Sequence, residues 1–121
     1  MIYEIKATID EACSQAKEML GEDNISVETL SASSETYDVR VNLINFEPTR
    51  LESPKYISFS GDNHAGYFID IDSVTYEYED NVDDFKQHAN VFLRAIRDGR
   101  LSIVRRKLLG IIPLKKNVKL D

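Results

Sequence analysis

The alternation of side chains across Gly66 to Asp80 (GYFIDIDSVTYEYED) restricts the possible folds more than any other stretch of this chain. Tyr67, Ile69 and Ile71 recur at the period of a half-buried β-strand, with Asp70 and Asp72 on the opposite face. After Asp72 the phase slips by one residue: Val74, Tyr76 and Tyr78 become the apolar set, Thr75, Glu77 and Glu79 the polar one. An uncorrected slip would turn every apolar residue to solvent, so the chain either turns at Asp72-Ser73 or absorbs a residue there in a β-bulge. A tight two-residue hairpin usually needs a glycine, and none is present, which favours the bulge. On that reading Asp70, Asp72, Glu77 and Glu79 stand together on one face. Two carboxylates ~7 Å apart repel by only roughly 0.6 kcal/mol in water, a cost that a solvated sheet tolerates.

The same region sets the charge. From Tyr56 to Phe85 the chain carries eight carboxylates and no Lys or Arg. Residues 94–121 hold nine Lys and Arg against two acids, whereas residues 1–93 hold six against nineteen. The basic tail has two readings: it lies beside the acidic strand and neutralises it within the fold, or it leaves that strand as an open binding face.

A chain of 121 residues is expected to form one domain, residues 1–121, large enough to bury about two-thirds of its unfolded surface. Its single cysteine, Cys13, excludes a disulfide framework and a cysteine cluster for zinc. No apolar run approaches the ~20 residues of a membrane span, and the N-terminus lacks the layout of a signal peptide, so the expected location is cytoplasmic.

Ile9, Ala12, Cys13, Ala16, Met19 and Leu20 recur at helical spacing and predict a helix over residues 8–20. Thr8-Ile9-Asp10-Glu11 has the form of a capping box, although the stripe extends back through Ile5 to Ile2. Cys13 lies on that stripe and reads as a small core residue. A second helix is marked at both ends: Asn81 can cap it, Asp83 and Asp84 suit its first turn, Arg94 and Arg97 its last, and Gly99 ends it. Short strands are expected over 25–31, over Tyr37 to Leu43, and at Tyr56 to Phe59, the last turning through Gly61-Asp62-Asn63 into the acidic strand as a hairpin. The Tyr37 strand shows its own slip at Ile44 and Phe46, which pairs it with the acidic strand. EPTRLESP (47–54) reads as a loop, and Gly110 and Pro113 divide the tail into two short edge strands. The expected fold is α+β: an antiparallel sheet of about four to six strands with two helices packed on one face.

Little catalytic chemistry assembles in the sequence. Asp70 and Asp72 with Glu77 supply too few converging oxygens for a divalent cation, and neither metal nor cofactor is expected. His64 in a turn and His88 on a helix lack a nucleophile partner, and no Gly-rich phosphate loop is present. A main face of carboxylates disfavours nucleic acid, leaving only Arg105-Arg106-Lys107 and Lys115-Lys116 for such a role. A basic protein partner suits the face better, because a negative field accelerates encounter and Tyr76 and Tyr78 offer contact area. The candidate partner-binding residues are Asp70, Asp72, Glu77, Glu79, Tyr76 and Tyr78, with no catalytic residues.

An N-terminal helix, antiparallel strands including FIDIDSVTYEYED, the capped helix NVDDFKQHANVFLRAIRDG and a basic strand-like tail resemble the layout of small bacterial immunity proteins of polymorphic and contact-dependent growth inhibition toxin systems. The resemblance implies a non-enzymatic cytoplasmic protein that binds one basic cognate toxin domain, often a nuclease, and blocks it. It assigns no residue a role. A second resemblance is to acidic secretion chaperones, which dimerise around an effector segment; their usual final helix is replaced here by the Pro113-interrupted tail.

Overall fold

The structure, a computed structural model, describes residues 2–44, 53–108 and 112–120; of 104–108 and 112–116 it describes the backbone alone. Helix α1 (Ile2–Leu20) and a 3₁₀ turn (Glu22–Asn24) lead into strands β1 (Ile25–Ala32), β2 (Thr36–Leu43), β3 (Tyr56–Asp62), β4 (Gly66–Ile71) and β5 (Val74–Glu79). Helix α2 (Val82–Arg97) follows, then β6 (Leu101–Leu108) and β7 (Ile112–Leu120). Strands β1 to β5 pair antiparallel in chain order, and β6 with β7 forms a separate two-stranded sheet. The architecture is α+β, and both helices pack on one face of the five-stranded sheet, α1 over β2 and β3 and α2 over β4 and β5.

Helix α1 starts at Ile2, six residues ahead of the expected capping box, so Thr8 lies within the helix and caps nothing. The longer stripe decides this: Ile5 and Ile9 are buried on the sheet. Gly61 on β3 admits them, because a Cβ there would collide with the Ile5 side chain. Cys13 is buried on the same stripe, and burial pushes its thiol up to about 11, so it stays protonated at neutral pH. Helix α2 keeps both expected caps. The Asn81 side chain accepts from the Asp84 amide at 3.1 Å, and the Gly99 and Arg100 amides bond back to Ile96 and Ala95, closing a Schellman motif. Phe85, fully buried, meets the rings of Phe59, Tyr67 and Tyr78 with centroids 6.1, 4.9 and 5.9 Å away and ties α2 to three strands.

The phase slip at Asp72-Ser73 is a turn, not a bulge. Both residues have positive φ (49° and 75°), as a two-residue primed hairpin requires, and Ile71 pairs with Val74 across it. Aspartate tolerates the left-handed region, and here the side chains hold the turn in place of a glycine. Asp72 Oδ1 accepts from the Lys55 and Tyr56 amides at 2.8 and 3.1 Å, while the Ser73 amide donates to the Tyr56 hydroxyl and to Asp70 Oδ1 at 2.8 and 2.7 Å. A bulge does occur in this hairpin, at its other end between Tyr67 and Phe68, where the ladder skips Tyr78.

Other expectations are corrected too. Strand β2 pairs with β1 and β3, so β3 separates it from the acidic strands. Ile44 follows β2 and is exposed, and Phe46, like residues 47–52 of the expected loop, lies outside the described residues. The tail strands pair with each other and do not extend the main sheet; β7 runs against β5 and β6 against α2. Their register shifts between Arg106 and Lys107, where Pro113 lacks an amide to donate. Gly110 and the side chains of Arg105, Arg106, Lys107, Lys115 and Lys116 are outside the described residues.

Two glycines with positive φ should respond differently to alanine. At Gly66 (φ 88°) a Cβ would fall on the Glu79 carbonyl, whereas at Gly99 (φ 70°) it meets nothing within 4 Å. Urea unfolding is expected to show Gly99→Ala costing about 1 kcal/mol and Gly66→Ala clearly more, because backbone must move as well.

Candidate functional site

The turn redistributes the six residues singled out by the alternation. Asp72 leaves the outer face; it is 4% exposed, its carboxylate spent on the amides of Lys55 and Tyr56 at the entry to β3. Asp70 does face outward, and its Oδ1 accepts from the Tyr56 hydroxyl at 3.1 Å. Tyr78 points into the core against Phe85, with its hydroxyl 2.9 Å from His88 Nδ1 and its own pKa raised chiefly by burial. Tyr76 is half-buried on the helix side, its ring 5.1 Å from that of Phe92. Glu77 and Glu79 are exposed, as expected. The single acidic face proposed by alternation therefore does not form: Asp70 and Glu77 share the outer face, Asp72 is structural, and the tyrosines serve the core.

Glu77 and Glu79 instead belong to a cleft of about 940 Å³ at one end of the sheet, walled by the start of α1, the β3–β4 turn and the β5–α2 junction. Glu4 and Asp80 join them there. Three features shape this end. Gly66 brings β4 close to the Glu79 backbone, Glu79 takes a left-handed φ of 52°, and the skipped residue Tyr78 anchors the strand inward just before it. Asn81 then caps α2, whose Val82 and Lys86 line the same opening.

The cleft's other acid, Asp62, is committed to the turn. Its Oδ2 accepts from the Thr36 hydroxyl at 2.7 Å and its Oδ1 from the His64 and Ala65 amides at 2.8 and 3.0 Å. These bonds, the Thr36 one foremost, hold its carboxyl below the usual carboxylate range. Lys86, the cation in the cleft wall, lies 3.7 Å from Glu11 on α1. Glu4, Glu77, Glu79 and Asp80 are all exposed, and none of their carboxylates has a hydrogen-bond or ion-pair partner among the described residues. Alternation could find Glu77 and Glu79; Glu4 and Asp80 come from elements whose position only the fold reveals.

Chemically, the cleft offers carboxylates and His64, whose Nε2 sits 3.7 Å from Glu35 with both side chains open to water. Among the described residues, no group of three or more His, Cys, Asp or Glu is placed to hold a metal ion. No helix among them is long and apolar enough to cross a membrane. The arrangement suits recognition of positive charge.

Because the folded Asp62 carboxyl titrates below its unfolded value, its contribution to stability is present above about pH 4 and is lost as pH falls through the folded pKa. Thermal unfolding should accordingly find Asp62→Asn less stable than the parent at pH 7, the gap closing toward pH 2. Comparison of the chain with protein-family models, with curated proteins and with solved structures finds no match in any of the three.

Proposed function

We propose that this chain is a non-enzymatic binding protein that neutralises a basic partner domain, as an immunity protein neutralises its cognate toxin. The partner of best fit is a toxin nuclease domain, whose phosphate-binding cleft is lined with cations, and the site of action is the cytoplasm. One observation carries the reading: four exposed carboxylates from two segments far apart in the chain, Glu4 on α1 and Glu77, Glu79 and Asp80 at the end of β5, line one cleft without a partner among the described residues. Such an arrangement focuses a negative field, raises the encounter rate with a cationic surface and blocks that surface once docked. Asp70 extends the acidity along the outer face toward the sheet centre.

The test is a binding measurement with a candidate toxin domain encoded in the neighbouring reading frame. The expected outcome is a stable 1:1 complex with an association rate that falls steeply from low to high salt. Replacing Glu77 and Glu79 together by Gln should slow association about tenfold and flatten the salt dependence, with a smaller effect on dissociation. A salt-independent complex, or a dimer of this chain that binds only an unfolded segment, contradicts the reading.

A further inference from the structure

The outer face of the sheet holds a second polar cluster, distinct from the cleft. Arg40 on β2 stands opposite Ser58 on β3, which stands opposite Asp70 on β4; Asp38 precedes Arg40 by two residues on the same face. The Arg40 guanidinium lies over the Tyr56 ring, 4.1 Å from its centroid, and the pair flanks Ser58. Ser58 is only 6% exposed although it faces away from the helices. Its Oγ, Asp38 Oδ1 and Arg40 Nε are all shielded from solvent and have no hydrogen-bond partner among the described residues.

Shielded polar atoms without partners are costly, and native proteins carry few of them. Three in one neighbourhood of a strand face call for a ligand. The Arg40 guanidinium stacks on Tyr56, which leaves its Nε–H as the one open donor. The other open atoms can all accept: Asp38 Oδ1, Ser58 Oγ, and Asp70 Oδ2, which receives a 3.4 Å contact from Thr75. The local charge balance is negative, since Asp38 and Asp70 outnumber Arg40 and Glu28 faces Arg40 from β1. A positively charged group rich in N–H donors complements both the geometry and the sign.

We infer that the Asp38–Ser58–Asp70 patch receives a cationic side chain, guanidinium or ammonium, projected by the partner protein. The inference rests on the proposed function only for the source of that cation. It makes the patch a docking point of short-range hydrogen bonds, while the cleft acids supply long-range attraction. Free and bound states then place opposite demands on Asp38. Burial foremost, with Asp70 adding to it and Arg40 opposing, raises the Asp38 carboxyl above its usual range. The ionised form is therefore penalised in the free fold at neutral pH, and the penalty vanishes below the unfolded pKa.

The test uses the free, isotope-labelled chain and small probes: N-acetyl-arginine amide, N-acetyl-lysine amide and, as neutral control, N-acetyl-glycine amide, followed by backbone amide shifts. Either cationic probe is expected to give saturable shifts centred on Asp38, Arg40, Ser58 and Asp70, and the neutral probe none. Asp38→Asn should weaken cationic probe binding at least fivefold while raising the thermal midpoint of the free protein at pH 7 and leaving it unchanged at pH 3. Ser58→Ala should weaken the probe and, by removing an unpartnered shielded hydroxyl, raise the thermal midpoint of the free protein at pH 7 and pH 3 alike, and Glu18→Gln on α1 should change neither. Shifts that are equal for the neutral probe, that centre elsewhere, or that survive Asp38→Asn overturn the inference. That result leaves the inhibitor reading standing if the salt-dependent 1:1 complex forms; probe binding without such a complex does the reverse.

Discussion

The Asp72 carboxylate, accepting from the Lys55 and Tyr56 amides where the chain enters β3, is the contact on which the arrangement of this sheet depends. It fixes a hairpin turn whose two central residues both take positive φ without glycine, a conformation that relaxes unless side chains hold it. With the turn in place, Ile71 pairs with Val74 and Ile69 with Tyr76, and the apolar sets of both strands face the helices. Without it, the one-residue slip would send one set to solvent. Tyr56 reinforces the turn from the outer face: its hydroxyl accepts from the Ser73 amide and donates to Asp70, and its ring carries Arg40. The same few residues thus define the β4–β5 register and build the outer-face patch.

The carboxylates of this chain divide by what they touch. Asp72 and Asp62 accept backbone amides in turns and belong to the fold. Asp83 and Asp84 occupy the first turn of α2, where the helix dipole favours negative charge, and Asp84 also accepts from the Asn81 side chain. Glu4, Glu77, Glu79 and Asp80 surround the end cleft with no such duty. Asp38 forms a fourth class, its Oδ1 shielded and without a partner among the described residues. A high count of acids along the sequence is therefore a poor measure of a binding face; the unpaired remainder is the relevant quantity, and it is smaller and differently placed.

Much of the fold could be read directly from residues. The caps of α2 are local events between near neighbours, and Asn81, Gly99 and the stripe through Phe85, Ala89, Phe92 and Leu93 agree on one helix. The β3–β4 hairpin was marked by Gly61 and Gly66; the backbone requires the second, and the approach of Ile5 from α1 requires the first. The turn at Asp72-Ser73 was not legible, because its stability comes from Lys55 and Tyr56, some seventeen residues earlier. Alternation also placed Tyr76 and Tyr78 correctly on the apolar side, where both rings pack against α2. Of the cleft, alternation showed half: Glu77 and Glu79 were apparent, while Glu4 arrives from α1 and Asp80 from a junction. The Asp38, Arg40 and Ser58 cluster spans two strands that the sequence alone did not pair.

The account turns on a division of labour between a carboxylate that builds the sheet and carboxylates that leave the fold free to bind. Thermal and urea unfolding of the free chain, comparing Asp72→Ala with the double variant Glu77→Gln/Glu79→Gln, tests it most directly. Loss of the buried acceptor strands two amides, so Asp72→Ala is expected to cost about 2–4 kcal/mol, while the double variant keeps the parent's stability or exceeds it through relief of repulsion. An unperturbed Asp72→Ala, or a double variant that unfolds as readily, would contradict it.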